Sequence, residues 1–198
     1  MMNKWSVGIF LFNDVEVLDF AGPFEVFSVT EVNEEKTFTV YIVSENGVMI
    51  TARNGLKVQP DYSIESLPPV DILIIPGGLG AREYEMKNEI VIKWIRQQMK
   101  EVKLMTSVCT GALLLAKAGL LEGLKATTHW ASIENFKNEF QNVEVIENVK
   151  FVDEGHIITS AGISAGINMS FHIVKNLLGV HVAEETAKRM EYDINLQN

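Results

Sequence analysis

An α/β sandwich built on a mainly parallel sheet is the fold class this sequence predicts. Three features carry the prediction. Short apolar runs alternate with longer amphipathic ones, the pattern of strands and helices taken in turn. Several of the short runs are apolar almost throughout, as strands are when helices cover both faces of a parallel sheet. One segment, Gly47–Gln59, departs from the alternation and places Asn54-Gly55 between two β-rich pieces, which signals a small antiparallel hairpin.

Taken in order, the first strand is Val7–Phe12. Its apolar run stops at Asn13-Asp14, and Val15-Glu16 follows where a signal peptide would need a small-residue cleavage site. Pro23 suits the first turn of a helix running to about Thr30, with Asp19 just before it or near its cap. Thr37–Ser44 is the second strand, and the hairpin follows. Asp71–Ile75 is a strand that ends in Pro76-Gly77-Gly78. Asn88–Lys100 places Ile92, Ile95 and Met99 at helical spacing. Lys103–Val108 is a strand. Thr110–Ala118 is apolar nearly all round, a buried helix that Gly119 ends. Ala131–Phe140, Ala165–Leu178 and Val182–Met190 are further helices, and Lys150–Val152 and His156–Thr159 further strands. No repeat or linker divides the chain, so one domain over residues 1–198 is expected, with right-handed crossovers.

Composition narrows the function classes. A net charge of -9 without a basic stripe argues against nucleic acid and against an anionic membrane surface. No stretch has the length of a membrane span. The single cysteine cannot form an internal disulfide, so the cytoplasm is the expected location. The four histidines show no i, i+4 pair and there is no second sulfur, so no metal is expected.

That cysteine, Cys109, lies in Ser107-Val-Cys-Thr-Gly111, where an apolar strand meets an apolar helix. Small residues at minus two and plus two suit a nucleophile elbow, whose tight turn excludes bulk. Unpaired N–H groups at a helix start stabilise a thiolate, so a thiol pKa below about 8.5 is expected. A buried structural cysteine is the alternative. Gly77 and Gly78 follow a strong strand, at the sheet edge where open α/β folds bind ligands, and they let backbone N–H groups approach a substrate; a simple tight turn reads equally. Asp19, among Leu18, Phe20 and Ala21, is an acid in apolar company. It is either protonated or hydrogen-bonded at a site, or it is a helix cap. His129, in Ala126-Thr-Thr-His-Trp130, is a polar site wall or a satisfied histidine. Ile163, in Gly162-Ile-Ser-Ala-Gly166, lies in a turn that opens a helix toward the same edge or simply packs.

"LDFAGP", "IPGG", "TSVCTGALLLAKAGLLEG", "ATTHW" and "AGISAGI", in this order and spacing, resemble the DJ-1/PfpI superfamily over about Val7 to Tyr192. Within it they are most similar to the isonitrile hydratase branch and to the sensor domains of AraC-type regulators. The resemblance implies a flavodoxin-like three-layer αβα sandwich, a homodimer, Cys109 as nucleophile and Asp19 as its acidic partner. It implies backbone N–H groups of Gly78 and Thr110 at an oxyanion-type hole, with Gly77, His129 and Ile163 lining the substrate pocket. Thr110 stands where protease-like members carry histidine, and no His-x-Glu pair occurs, so a Cys-His peptidase and an amidotransferase triad are both disfavoured.

The function expected on this resemblance is cofactor-free, cysteine-dependent hydration of a small-molecule isonitrile to an N-substituted formamide. Glyoxalase, deglycase or amidase-like chemistry is the enzymatic alternative. A redox or ligand sensor is the non-enzymatic one, with a low-pKa thiol oxidising to sulfenic and sulfinic acid. Because two adjacent anions repel, Asp19 is expected to hold a proton whenever the thiolate forms, and its removal to alanine is expected to raise the thiol pKa.

Overall fold

In a computed structural model describing residues 4–194, seven strands form the main sheet. They are β1 (Trp5–Leu11), β2 (Phe38–Ser44), β3 (Tyr62–Ser63), β4 (Ile72–Ile75), β5 (Leu104–Val108), β6 (Phe151–Asp153) and β7 (Ile157–Ser160), in spatial order β6-β7-β5-β4-β1-β2-β3. Every neighbouring pair is parallel except β6 with β7, which is antiparallel and forms one edge. β1 and β4 are buried over nearly their whole length, which is why their sequences lack polar alternation.

The helices are α1 (Val17–Val29), α2 (Leu79–Glu83), α3 (Glu89–Gln98), α4 (Gly111–Lys117), α5 (Ile133–Glu139), α6 (Ala165–Leu178) and α7 (Val180–Arg189). Strand register puts them on two faces. Phe38 is aligned with Trp5, so it faces opposite to Phe10, five residues along β1. Phe38 meets Phe27 of α1 at 4.9 Å between ring centroids, and Phe10 meets Trp94 of α3 at 5.2 Å. Helices α1, α6 and α7 pack together, as do α2, α3 and α4. The result is an αβα sandwich.

The hairpin is present, with Ile50–Thr51 antiparallel to Lys57–Val58 and both Asn54 and Gly55 left-handed at its tip. Strand ends shift from the expected bounds by a residue or so. The larger departure is α1, which begins at Val17. Asp19 is therefore its third residue, and Pro23 lies in its interior rather than its first turn. An interior proline leaves the carbonyl four residues back without its helical donor. Tertiary packing holds the helix through this point. Gly22 admits the Ile167 side chain at a distance no Cβ would permit, and Gly166 admits the Val108 side chain, with the Pro23 ring at its margin. No helix among the described residues is long and apolar enough to cross a membrane.

The chain leaves β1 toward β2 on one side and returns to β4 on the other. The connectivity thus reverses between β1 and β4, the place where open α/β sheets form a crevice beyond their carboxyl ends.

Candidate active site

Four segments leave the sheet at that crevice: the start of α1 after β1, Gly77-Gly78 after β4, Cys109 after β5, and Ala161–Ile163 after β7. Cys109 has φ +57°, a left-handed conformation uncommon for a residue with a side chain. Close backbone approaches impose it. A Cβ on Gly111 would sit 2.0 Å from the Ile75 carbonyl oxygen, and one on Gly77 would sit 2.4 Å from the Thr110 nitrogen. The Cys109 N–H lies 3.2 Å from the carbonyl oxygens of both Ser160 and Ala161, and the Thr128 hydroxyl donates to the Cys109 carbonyl at 2.8 Å. Thr128 is a positioning group that sequence reasoning passed over. It falls inside the quoted "ATTHW", but nothing local links it to residue 109.

Asp19 is fully buried. Its Oδ2 accepts the Gly77 N–H at 3.0 Å, while Oδ1 has no hydrogen-bond partner. The Cys109 thiol and the Ile163 N–H exert weaker influences that favour the ionised carboxyl. Burial raises the Asp19 pKa to about 7 despite the Gly77 donor. It is not a helix cap, since no side-chain cap bond forms at this helix start.

The thiol is not depressed, contrary to the expectation from the elbow. Cys109 is only 6 % exposed, and burial, reinforced by the Asp19 charge, pushes it up to about 12. The Thr110 N–H and hydroxyl favour the thiolate but do not outweigh desolvation. The direction also overturns the expected response to losing Asp19: its charge raises the thiol pKa, so removing that charge lowers it. With Asp19 raised to about 7 and Cys109 to about 12, the carboxyl ionises first and the pair's last proton is the thiol's.

The two expected oxyanion donors separate. Thr110 keeps its N–H toward the sulfur. Gly78 does not keep its own: the N–H donates to Thr110 Oγ1 at 2.9 Å. Gly77 lines the site through its backbone, with its N–H bound to Asp19.

His129 stands at the mouth. Its Nδ1 accepts the Ala131 N–H at 3.2 Å, which leaves the ring proton on Nε2. The ring lies on Gly162, where a Cβ would be 2.2 Å from Cδ2. Burial and then the Arg82 charge lower its pKa, so it is a neutral wall. Ile163 has φ +55°, a strained conformation for a β-branched residue; its side chain is partly exposed. Among the described residues, no three His, Cys, Asp or Glu side chains come together as metal ligands do.

Comparison with known proteins accords with this architecture. A model of the DJ-1/PfpI family matches residues 5–176. The chain is 35 % identical over 188 residues to an isonitrile hydratase of Pseudomonas putida, covering 94 % of this chain and 78 % of that one. It is 23 % identical over 192 residues to the HTH-type transcriptional regulator GbdR of Pseudomonas aeruginosa, covering 96 % of this chain but only 52 % of the regulator. A crystal structure of a ThiJ/PfpI family protein from Pseudomonas syringae superposes with a TM-score of 0.85 at 27 % identity, over 100 % of this chain and 78 % of that one.

Proposed function

The chain belongs to the DJ-1/PfpI family, and from that premise we propose that it hydrates an isonitrile to an N-substituted formamide, with Cys109 as nucleophile and Asp19 as proton shuttle. The observation that carries this reading is the buried Asp19–Cys109 pair, with a carboxyl raised to about 7 beside a thiol that has no histidine next to it. Such a pair suits a reaction that consumes and returns the same proton several times at one carbon.

The steps balance. Asp19 takes the thiol proton as sulfur attacks the isonitrile carbon, and returns it to that carbon. The product is an enzyme-bound thioimidate, with Asp19 again a carboxylate. A water then adds to the same carbon; Asp19 accepts its proton and delivers it to the nitrogen. In the last step the new hydroxyl gives its proton to Asp19, the carbonyl forms, and the carbon–sulfur bond breaks. The formamide leaves, and Asp19 returns its proton to the sulfur. The Thr110 N–H favours negative charge on sulfur at attack and departure. The Gly78 N–H has no part in these steps, because Thr110 already holds it. On the family resemblance, we further take the protein to be a cytoplasmic homodimer.

The test is turnover of alkyl and aryl isonitriles, followed by formamide appearance. Wild type should convert them and Cys109→Ala should not. Rapidly quenched wild type should carry an adduct of the isonitrile's mass that the alanine variant lacks. Clearance of methylglyoxal through Cys109, with no isonitrile converted, would replace hydration by glyoxalase-like chemistry.

A further inference from the structure

An open groove lies along the β7–α6 turn, beside the cysteine elbow. Its lining includes His129, Trp130, Lys150, Gly162, Ile163 and Ser164. Its volume of about 570 Å³ lies within the roughly 300–1,000 Å³ typical of small-molecule sites. It adjoins the reacting groups through two hydrogen bonds already described: the Cys109 N–H on Ala161 O, and the hydroxyl of Thr128, next to His129, on the Cys109 carbonyl.

Two properties of the groove are unlike the rest of the molecule. Trp130 is 80 % exposed, a large apolar ring left uncovered at the mouth, with the partly exposed Ile163 side chain in the same lining. The second property is charge. The chain carries a net -9, yet no acidic residue lines the groove, and Lys150 makes no ion pair among the described residues. Arg82, which acts on His129 from α2, makes none either. The nearby acid, Glu16, is partnered by Arg53 at 3.8 Å. His129 is neutral and adds no charge of its own.

Resting on the hydratase reading, we infer that the substrate is an anionic isonitrile: a carboxylate on an apolar or aromatic body, with its isocyano carbon at Cys109, its body over Trp130 and Ile163, and its carboxylate at Lys150. A neutral isonitrile would use the apolar wall and leave the cation without a role. An acid-free wall in an acidic protein also spares an incoming anion the repulsion it would meet elsewhere on the surface.

The test compares 4-isocyanobenzoate with its neutral methyl ester. In wild type, kcat/KM should favour the carboxylate by about tenfold or more, the scale of one charge-assisted contact. Lys150→Glu should bring that ratio to one or below, and Trp130→Ala should raise KM for both compounds. A ratio near one in wild type, or a ratio that Lys150→Glu does not move, overturns the inference while hydration itself stands. A parallel titration of Cys109→Ala with the product, 4-formamidobenzoate, keeps the two readings apart by calorimetry. Binding lost on adding Lys150→Glu, in a protein that hydrates no isonitrile, upholds the anion groove and discards the isonitrile. Equal binding with and without Lys150 discards the groove.

Discussion

Gly77 joins Asp19 to the cysteine elbow. Its N–H donates to Asp19 Oδ2 at 3.0 Å, while its α-carbon lies so close to the elbow that an added Cβ would meet the Thr110 nitrogen at 2.4 Å and the Cys109 Cβ at 3.0 Å. One residue without a side chain thus sets the distance between the Asp19 carboxyl and the Cys109 thiol.

Gly77→Ala should therefore separate the pair. The methyl group meets backbone, which cannot rotate away, so a destabilisation of about 1–3 kcal/mol is expected from overpacking. Activity should fall further than stability, by roughly 100-fold, the scale of a displacement near 1 Å at reacting groups. Thermal melts and kcat/KM measured on one preparation check both. Near-wild-type activity would show that the close approach is dispensable.

The pH dependence of kcat/KM follows from the pair. Below the Asp19 value of about 7 the site holds one proton too many, and Asp19 cannot accept the thiol proton. Activity should rise tenfold per pH unit up to about 7 and level above it. A profile flat from pH 5 to 8 would remove Asp19 from the proton path.

The same shift has a stability sign. The folded Asp19 pKa, about 7, lies above its unfolded value of 3.8, so the folded protein loses stability as pH rises between the two and regains none above. Asp19→Asn escapes that loss. Its melting temperature relative to wild type should be lowest near pH 4 and climb to a plateau above pH 7, with a gain of up to roughly 4 kcal/mol, while turnover is largely lost. A difference independent of pH would mean that Asp19 is not held in this buried state.

Glu85 offers a second linkage away from the site. Asn88 Nδ2 donates to Glu45 at 2.7 Å and to Glu85 at 3.2 Å, and burial, with the Glu45 charge adding, raises Glu85 to about 7. As with Asp19, the carboxyl costs stability as pH rises from its ordinary value through 7. Glu85→Gln should stabilise the protein at pH 8 by on the order of 1 kcal/mol, discounted for partial solvent screening, and should do little near pH 4. Denaturant unfolding at the two pH values checks it.

What the residues alone determined is the architecture and which segments meet at the candidate site. Apolar runs such as Ile72–Ile75 can be satisfied only when covered on both faces, so the parallel sheet was legible from the residues alone. The small residues around Cys109 were legible for a similar reason: the elbow leaves no room for larger ones, as the 2.0 Å approach at Gly111 shows. Tertiary structure alone decided the chemistry of those residues. Pro23 reads locally as a helix start, yet α1 runs through it because Gly22 and Gly166 let the neighbouring side chains close on the helix. The elbow reads locally as an acidic thiol, yet burial and Asp19, ninety residues away in the chain, push Cys109 up to about 12. Gly78 reads as a donor for substrate, yet Thr110, brought beside it by the pairing of β4 with β5, takes its N–H. Desolvation and hydrogen-bond partnership depend on what the fold brings close, and short stretches of sequence do not carry that information.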